Sequence, residues 1–211
     1  MLDHIHWLGH DAFRIDGPPT IYIDPYQLAP GSPPADLILI THDHADHCSP
    51  DDVAQIQTDD TIIVTVALAA GKLRTNNLRV VIPGDEITVK GIPIEAVPAY
   101  NVNKFRRPGV PFHPPESGYV GFVATVGDQR IYHAGDTDHI PEMAELGRID
   151  VALLPVSGKY VMTVDEAVEA TRTIQPRIAI PMHVGRGIGS LADAETFKEK
   201  APAQVVVLEA S

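Results

Sequence analysis

The six positions His42-Asp43-His44-Ala45-Asp46-His47 bring three imidazoles and two carboxylates into one short stretch. Imidazole nitrogen and carboxylate oxygen are the donors that suit zinc, iron, manganese and similar divalent ions. The stretch follows Leu37-Ile38-Leu39-Ile40, an apolar run without polar alternation, which predicts a strand buried on both faces. In an extended chain His42, His44 and Asp46 would face one way and His47 the other. Their convergence therefore requires a sharp turn near Ala45. Two other apolar runs end in similar fashion. Ile131-Tyr132 leads through His133-Ala134-Gly135 to Asp136, and Ile178-Ala179-Ile180-Pro181-Met182 leads to His183. Strands that each deliver a metal-capable side chain at the carboxyl end can gather those ends at one edge of the molecule. Metal binding is the expectation, against a solvated loop with incidental histidines.

The elements that must position these residues follow from pattern and punctuation. Short strands are predicted at 5–8, 12–15 and 20–23, with Asp16-Gly17-Pro18-Pro19 as a turn and Asp24-Pro25 closing the third. Asp24 is expected as a cap of that turn. Ser49-Pro50-Asp51-Asp52 predicts a helix start, with serine as cap, proline in the first turn and acidic residues facing the helix dipole; the helix runs to about Gln57. A strand at 61–66, a short helix at 67–73 and strands at 80–82, 87–89 and 92–97 follow. Residues 99–117 form a long loop without periodicity, the kind usually tied to function. A hairpin turns at Gly127-Asp128, and the last third alternates strand and helix. Thr163-Val164-Asp165-Glu166 is a capping box opening a helix to about Ile174, and Ser190 caps a last helix to about Lys200. A final strand is expected at 205–208. Together these predict one domain over residues 1–211, of α+β class, with two sheets and helices packed outside them.

Composition limits the partners. The chain has 211 residues, 44% hydrophobic and 21% charged, with a formal net charge of −12, which argues against nucleic acid or an anionic membrane as partner. The single cysteine, Cys48, excludes an intrachain disulfide and is expected as a small buried thiol. No secretory leader pattern and no apolar window long enough to cross a bilayer is visible, so a soluble cytoplasmic protein is expected. A homo-oligomer is left open.

The His-x-His-x-Asp-His pattern of residues 42–47 resembles the signature of the metallo-β-lactamase superfamily. The resemblance extends through Trp7-Leu8-Gly9-His10, Ile23-Asp24-Pro25, Tyr132-His133-Ala134-Gly135-Asp136-Thr137 and Ile180-Pro181-Met182-His183. This set is most similar to the small, single-domain branch that includes the ascorbate-6-phosphate lactonase. The resemblance implies a four-layer αββα sandwich and a dinuclear metal site, zinc first, with manganese or iron as alternatives. It implies His42 and His44 on the first ion, Asp46 and His47 on the second, Asp136 bridging both, and His183 completing the second. The first ion usually takes a third histidine where this chain reads Val97-Pro98-Ala99-Tyr100-Asn101. His113, the one histidine between His47 and His133, is the expected substitute, with water as the alternative. The implied activity is hydrolysis by metal-bound hydroxide, with Asp46 orienting the nucleophile, on an ester, lactone or phosphodiester of a small, anionic metabolite. A non-catalytic metal-binding or sensor protein of the same fold is the competing class.

Other residues are assigned by position. His10 is expected to contact ligands or substrate, or to serve only its turn. His133 is expected to hydrogen-bond a ligand, with a ligand role of its own as the alternative. Lys104, Arg106 and Arg107 share a loop with His113 and are expected to capture an anionic substrate group, against a merely solvated face.

Overall fold

The computed structural model describes residues 2–75 and 77–211. The first sheet has six strands in sequence order: β1 (Ile5–Gly9), β2 (Ala12–Ile15), β3 (Ile21–Ile23), β4 (Leu37–Ile40), β5 (Ile62–Thr65) and β6 (Leu78–Val80). Pairing is antiparallel from β1 to β3 and parallel from β3 to β6. The second sheet is built from β7 (Glu86–Val89), β8 (Ile92–Pro98), β11 (Val120–Val126), β12 (Gln129–His133), β13 (Val151–Pro155), β14 (Ile178–Met182) and β15 (Gln204–Val205). Its order is β15-β14-β13-β12-β11-β8-β7, parallel from β15 to β12 and antiparallel beyond. A two-stranded hairpin, β9 (Phe105–Arg107) with β10 (Val110–Pro111), stands apart. With helices α1 (Pro50–Ile56), α2 (Ala67–Ala70), α3 (Val164–Ile174) and α4 (Leu191–Lys200), the sheets form the α+β sandwich expected.

The strand directions explain where chemistry can gather. β1 runs with β3, because each is antiparallel to β2, and β3 is parallel to β4. β8 runs with β12, because each is antiparallel to β11, and β12, β13 and β14 are mutually parallel. All these strands therefore release the chain at one edge of their sheet. A bond from Val120 N–H to the Thr41 carbonyl, 3.2 Å, ties the two edges together. Burial drives the assembly: every residue of β4, β13 and β14 is buried. Apolar area removed from water on both faces is the main favourable term here.

Local signals behave as their chemistry requires. Ser49 caps α1 by accepting from Asp52 N–H, and Thr163 with Glu166 forms the capping box of α3. The structure departs from expectation in three places. The strand expected at 80–82 is β6, Leu78–Val80, two residues earlier. Residues 99–117 contain the β9–β10 hairpin and a 3-10 turn at Pro115–Ser117; the hairpin side chains are largely exposed, so no apolar alternation marks it. The last strand is only Gln204–Val205. Beyond it the chain leaves the second sheet and bridges to the first, where Ala210 pairs with Trp7.

Glu166 also ties α3 to the loop before the hairpin. Its carboxylate accepts from Thr163 N–H at 2.7 Å and from Lys104 Nζ at 2.7 Å, and from Asn103. Burial alone would raise its pKa, but these donors hold it down at about 2, against 4.5 for a free glutamate. A depressed carboxylate pKa contributes stability above the unfolded value, and that stability is lost as pH falls through the folded one. Glu166→Gln is thus expected to melt about 2–4 °C lower at neutral pH, allowing for partial solvent screening. The gap should close as pH falls from 4.5 towards about 2. A gap that stays constant with pH would refute this role.

Candidate metal centre

The signature residues sit where β4 ends. His47 N–H and Cys48 N–H both donate to the His44 carbonyl, at 3.1 and 2.8 Å, closing the turn that convergence required. Asp43 points away from the cluster and anchors the turn, accepting from Tyr119 Oη at 2.7 Å and pairing with Lys72 at 2.8 Å. Gly135, at φ 63°, carries the chain from β12 to Asp136, and a Cβ there would lie 3.0 Å from the Val120 carbonyl and 3.2 Å from Thr41 Cβ. Only a residue without a side chain passes this crossing unstrained.

Two groups of donors result, with Asp136 between them. In the outer group, His42 Nε2 lies 3.1 Å from His44 Nδ1, and His113 Nε2 lies 3.2 Å from both His44 Nδ1 and Asp136 Oδ2. An ion with tetrahedral bonds of about 2.0–2.1 Å sets its ligands about 3.3 Å apart, so this spacing suits one. In the inner group, His47 Nε2 lies 3.2 Å from Asp136 Oδ1, and His183 Nε2 lies 3.6 Å from Asp136 Oδ2. His10 Nε2 lies 3.1 Å from Asp46 Oδ2, which places His10 beside this group.

The nitrogens that face away from the centre are held. Asp24, fully buried, accepts from Thr41 N–H at 2.8 Å, Thr41 Oγ1 at 2.6 Å and His47 Nδ1 at 2.8 Å. Thr41 Oγ1, having given its proton to Asp24, accepts from His42 Nδ1 at 3.0 Å. Asn101 Oδ1 accepts from His113 Nδ1 at 2.9 Å, and Ser157 Oγ from His183 Nδ1 at 2.8 Å. These bonds assign a proton to Nδ1 in His42, His47, His113 and His183, and aim each Nε2 inward. His133 accepts from Gly135 N–H, so its Nε2 donates to the Asp11 carbonyl at 2.9 Å.

The donor set fits a cation. His47 Nε2, His183 Nε2, Asp136 Oδ1 and both oxygens of Asp11 are buried without hydrogen-bond partners. Among the described residues, Asp11, Asp24, Asp46 and Asp136 pair with histidines and with no lysine or arginine. Burying uncompensated carboxylates costs several kcal/mol each. Burial opposes a charge on His47 and His183, but Asp136 with Asp24 or Asp11 outweighs it, raising His47 well above its usual range and His183 to about 8. Asp136 is correspondingly held well below the carboxylate range against its burial, and Asp46 falls to about 2 beside His10 and His47. His42 and His44 shift the other way, through burial and their imidazole neighbours. Divalent ions would displace the protons from His47 and His183, so the residues present fit them.

The centre opens on a pocket of about 430 Å³. His44, Asp46, His113 and Asp136 form its floor, and Arg106, Phe112 and Tyr160 its walls. Of the three basic loop residues expected here, only Arg106 arrives. Lys104 is drawn to Glu166 at 2.7 Å and buried Asp138 at 3.2 Å, which makes it a tether of the loop; Arg107 stays exposed on β9. Cys48 is buried beneath the turn, its thiol raised to about 11 chiefly by burial, and has no place in the chemistry. Asp11 went unnoticed in the sequence, although it adjoins His10 in the same turn. Asp24 was legible only as a turn cap, and Ser157 carries no local signal.

A family model described as a β-lactamase superfamily domain matches residues 4–183. A UPF0173 metal-dependent hydrolase of Thermoplasma acidophilum is 35% identical over 212 residues, covering 93% of this chain and 90% of that protein. The crystal structure of a Parabacteroides distasonis protein named for metal-dependent hydrolysis superposes with a TM-score of 0.85 at 32% identity, covering 98% of this chain and 93% of that one. Igni18, a metallo hydrolase of Ignicoccus hospitalis, shares the fold with a TM-score of 0.76 at 24% identity, covering 98% and 95% of the two chains.

Proposed function

The chain belongs to the β-lactamase superfamily domain family and is a metal-dependent hydrolase, and from that premise we propose that it holds two divalent ions and cleaves an ester, lactone or phosphodiester bond of a small anionic metabolite. The observation that supports this most is the pair of donor groups sharing Asp136, with unpartnered atoms facing the floor of a substrate-sized pocket. His42, His44 and His113 hold the outer ion, His47 and His183 the inner one, and Asp136 lies between. Three imidazoles with one carboxylate suit zinc in the outer position. Bound ions would supply Lewis acidity toward the scissile carbonyl or phosphoryl group and lower the pKa of water.

The remaining work falls to side chains of the chain itself. Asp46 lines the pocket floor, is charged at neutral pH, and lies 3.1 Å from His10 Nε2; it directs the attacking water by accepting its hydrogen bond. Phe112 and Tyr160 pack edge to face, with ring centroids 4.6 Å apart, and give the pocket an apolar wall that restricts water. Asn101, bonded to both His113 and the Tyr160 carbonyl, keeps wall and floor in register.

Arg106 sets the preference for anions. Its Nη2 lies 3.3 Å from His44 Nε2, and its guanidinium lies 5.6 Å from the Phe112 ring centroid. A neutral imidazole has one lone pair. When His44 directs it from Nδ1 to an ion, Nε2 carries the proton and no longer accepts from Arg106. The guanidinium is then free to pair with a carboxylate or phosphate in the pocket. Arg106→Ala is expected to raise KM for anionic substrates about tenfold or more while kcat changes little. Equal KM values for charged and neutral analogues in wild type and variant would end the anion assignment.

The broader test is a panel of p-nitrophenyl esters, bis-p-nitrophenyl phosphate and lactones. It should be run on protein of measured metal content, before and after chelation. Hydrolysis that disappears with the ions and returns with added divalent metal is the expected result. Metal-loaded protein inert toward the whole panel would overturn the bond classes proposed.

A further inference from the structure

Two side chains at the β1–β2 turn exceed what this chemistry needs. Asp11 is fully buried, and its Oδ2 lies 3.4 Å from His47 Nε2, 3.5 Å from His10 Nε2 and 3.9 Å from His183 Nε2. Neither carboxylate oxygen has a hydrogen-bond partner. His10 is equally enclosed and turns Nε2 toward Asp46, its ring centroid 4.4 Å from that of His183.

The backbone there is held at some cost. Gly9 and His10 have φ of 99° and 55°, and left-handed geometry disfavours a residue like histidine by about 1 kcal/mol. Three donors keep the turn in place. His133 Nε2 bonds the Asp11 carbonyl at 2.9 Å, while Trp7 Nε1 and His183 N–H bond the His10 carbonyl at 2.9 and 3.1 Å. A strained turn pinned from two sheets, presenting a carboxylate without a hydrogen bond and an imidazole to two other histidines, is built to hold something positive.

We propose that His10 and Asp11 are ligands of the inner ion, completing a six-donor shell with His47, His183, Asp46 and Asp136, and that this shell selects manganese or iron while the outer position takes zinc. The proposal rests on the metal-dependent reading above and adds the inner ligands and the ion class. The donors fall into two overlapping groups, His10-Asp46-His47-His183 and Asp11-His47-Asp136-His183, which share two histidines. Octahedral ligands at about 2.1 Å lie about 3 Å apart as neighbours and about 4.2 Å apart as opposites. Within those groups His10–Asp46 at 3.1 Å, Asp136–His47 at 3.2 Å and Asp11–His47 at 3.4 Å are close to the spacing of neighbouring ligands, and His47–Asp46 at 4.0 Å is close to that of opposite ones. At equal geometry zinc would bind more tightly than manganese or iron, so a six-fold shell is what lets the latter compete. Charge agrees as well. Four carboxyl groups, Asp11, Asp24, Asp46 and Asp136, stand among these histidines with no lysine or arginine paired to them among the described residues, a surplus of acidic groups that suits divalent cations.

The test counts metal. Chelated protein is reloaded from an equimolar mixture of zinc and manganese, and separately with ferrous iron without oxygen. Bound ions are then measured by plasma mass spectrometry. Wild type should hold about one zinc and about one manganese, and Asp11→Asn should keep the zinc while its manganese affinity falls about 100-fold. Thermal melting establishes that the variant is folded. Independently of any variant, X-ray absorption of manganese in the wild-type protein should show six nitrogen and oxygen neighbours. Two zinc ions from the mixture, unchanged manganese affinity in Asp11→Asn, or a four-coordinate manganese spectrum would each overturn the proposal. These counts do not depend on turnover, so a protein inert toward every substrate would refute the hydrolytic assignment and leave this one to be decided on metal alone.

Discussion

If the proposed two-ion site is right, Asp136→Ala is expected to lose both ions and at least about 10³-fold in kcat/KM, the largest effect of any single change in this protein. The figure corresponds to about 4 kcal/mol of charge stabilisation withdrawn from the transition state. Asp136 Oδ2 approaches His113 at 3.2 Å and His183 at 3.6 Å, while Oδ1 approaches His47 at 3.2 Å, so one carboxylate serves both groups. Its removal leaves three outer imidazoles without a counter-charge and deprives the inner group of the anion that most strongly favours a positive neighbour. Metal-dependent stabilisation should vanish with the ions. At ligand concentrations about 1,000 times Kd, such binding contributes about 4 kcal/mol, or about 10 °C of melting temperature in a chain of this size. Asp136→Asn keeps the shape and removes the charge. If it retained both ions at wild-type affinity, the bridging role would be wrong.

Asp24→Ala should produce the largest loss of stability. The carboxylate is wholly buried, sits at φ 45°, and satisfies three donors on Thr41 and His47. Breaking a buried charged network costs about 3–5 kcal/mol, a large share of the 5–15 kcal/mol that holds a typical protein folded. A fall of about 10 °C in melting temperature is expected, read by calorimetry on ion-free protein. Asp24→Asn separates fold from function. Asparagine tolerates the left-handed backbone and can still accept from Thr41. If its amide faces His47 Nδ1, that nitrogen must become the acceptor, and the proton moves to Nε2, where the inner ion would bind. Inner-ion affinity should drop about 10–100-fold while melting temperature changes much less. Equal metal affinity in wild type and Asp24→Asn would show that the His47 tautomer is not set from here.

Much of this was legible in the order of residues because the relevant physics is local. An unbroken apolar run such as Leu37-Ile38-Leu39-Ile40 can only be a buried element, and a cluster of imidazoles and carboxylates at its end advertises its donors directly. Caps are local as well, since Ser49 and Thr163 satisfy backbone groups three residues away. The β9–β10 hairpin escaped notice for the converse reason, because a hairpin with exposed side chains imposes no periodicity.

The sequence by itself therefore determined the donor types, the strands that deliver them and the fold class, all of which follow from short-range pattern. Tertiary structure alone decided the company each residue keeps. It turned Lys104 toward Asp138 and left Arg106 at the pocket, brought His113 beside His44 and Asp136, made Asp24 the anchor of His47, and set Asp11 among three histidines. The reason is strand direction. Residues as distant as 10, 47, 136 and 183 meet because parallel pairing sends the carboxyl ends of separate strands to one edge, and that depends on long-range packing, which no local stretch of the chain encodes.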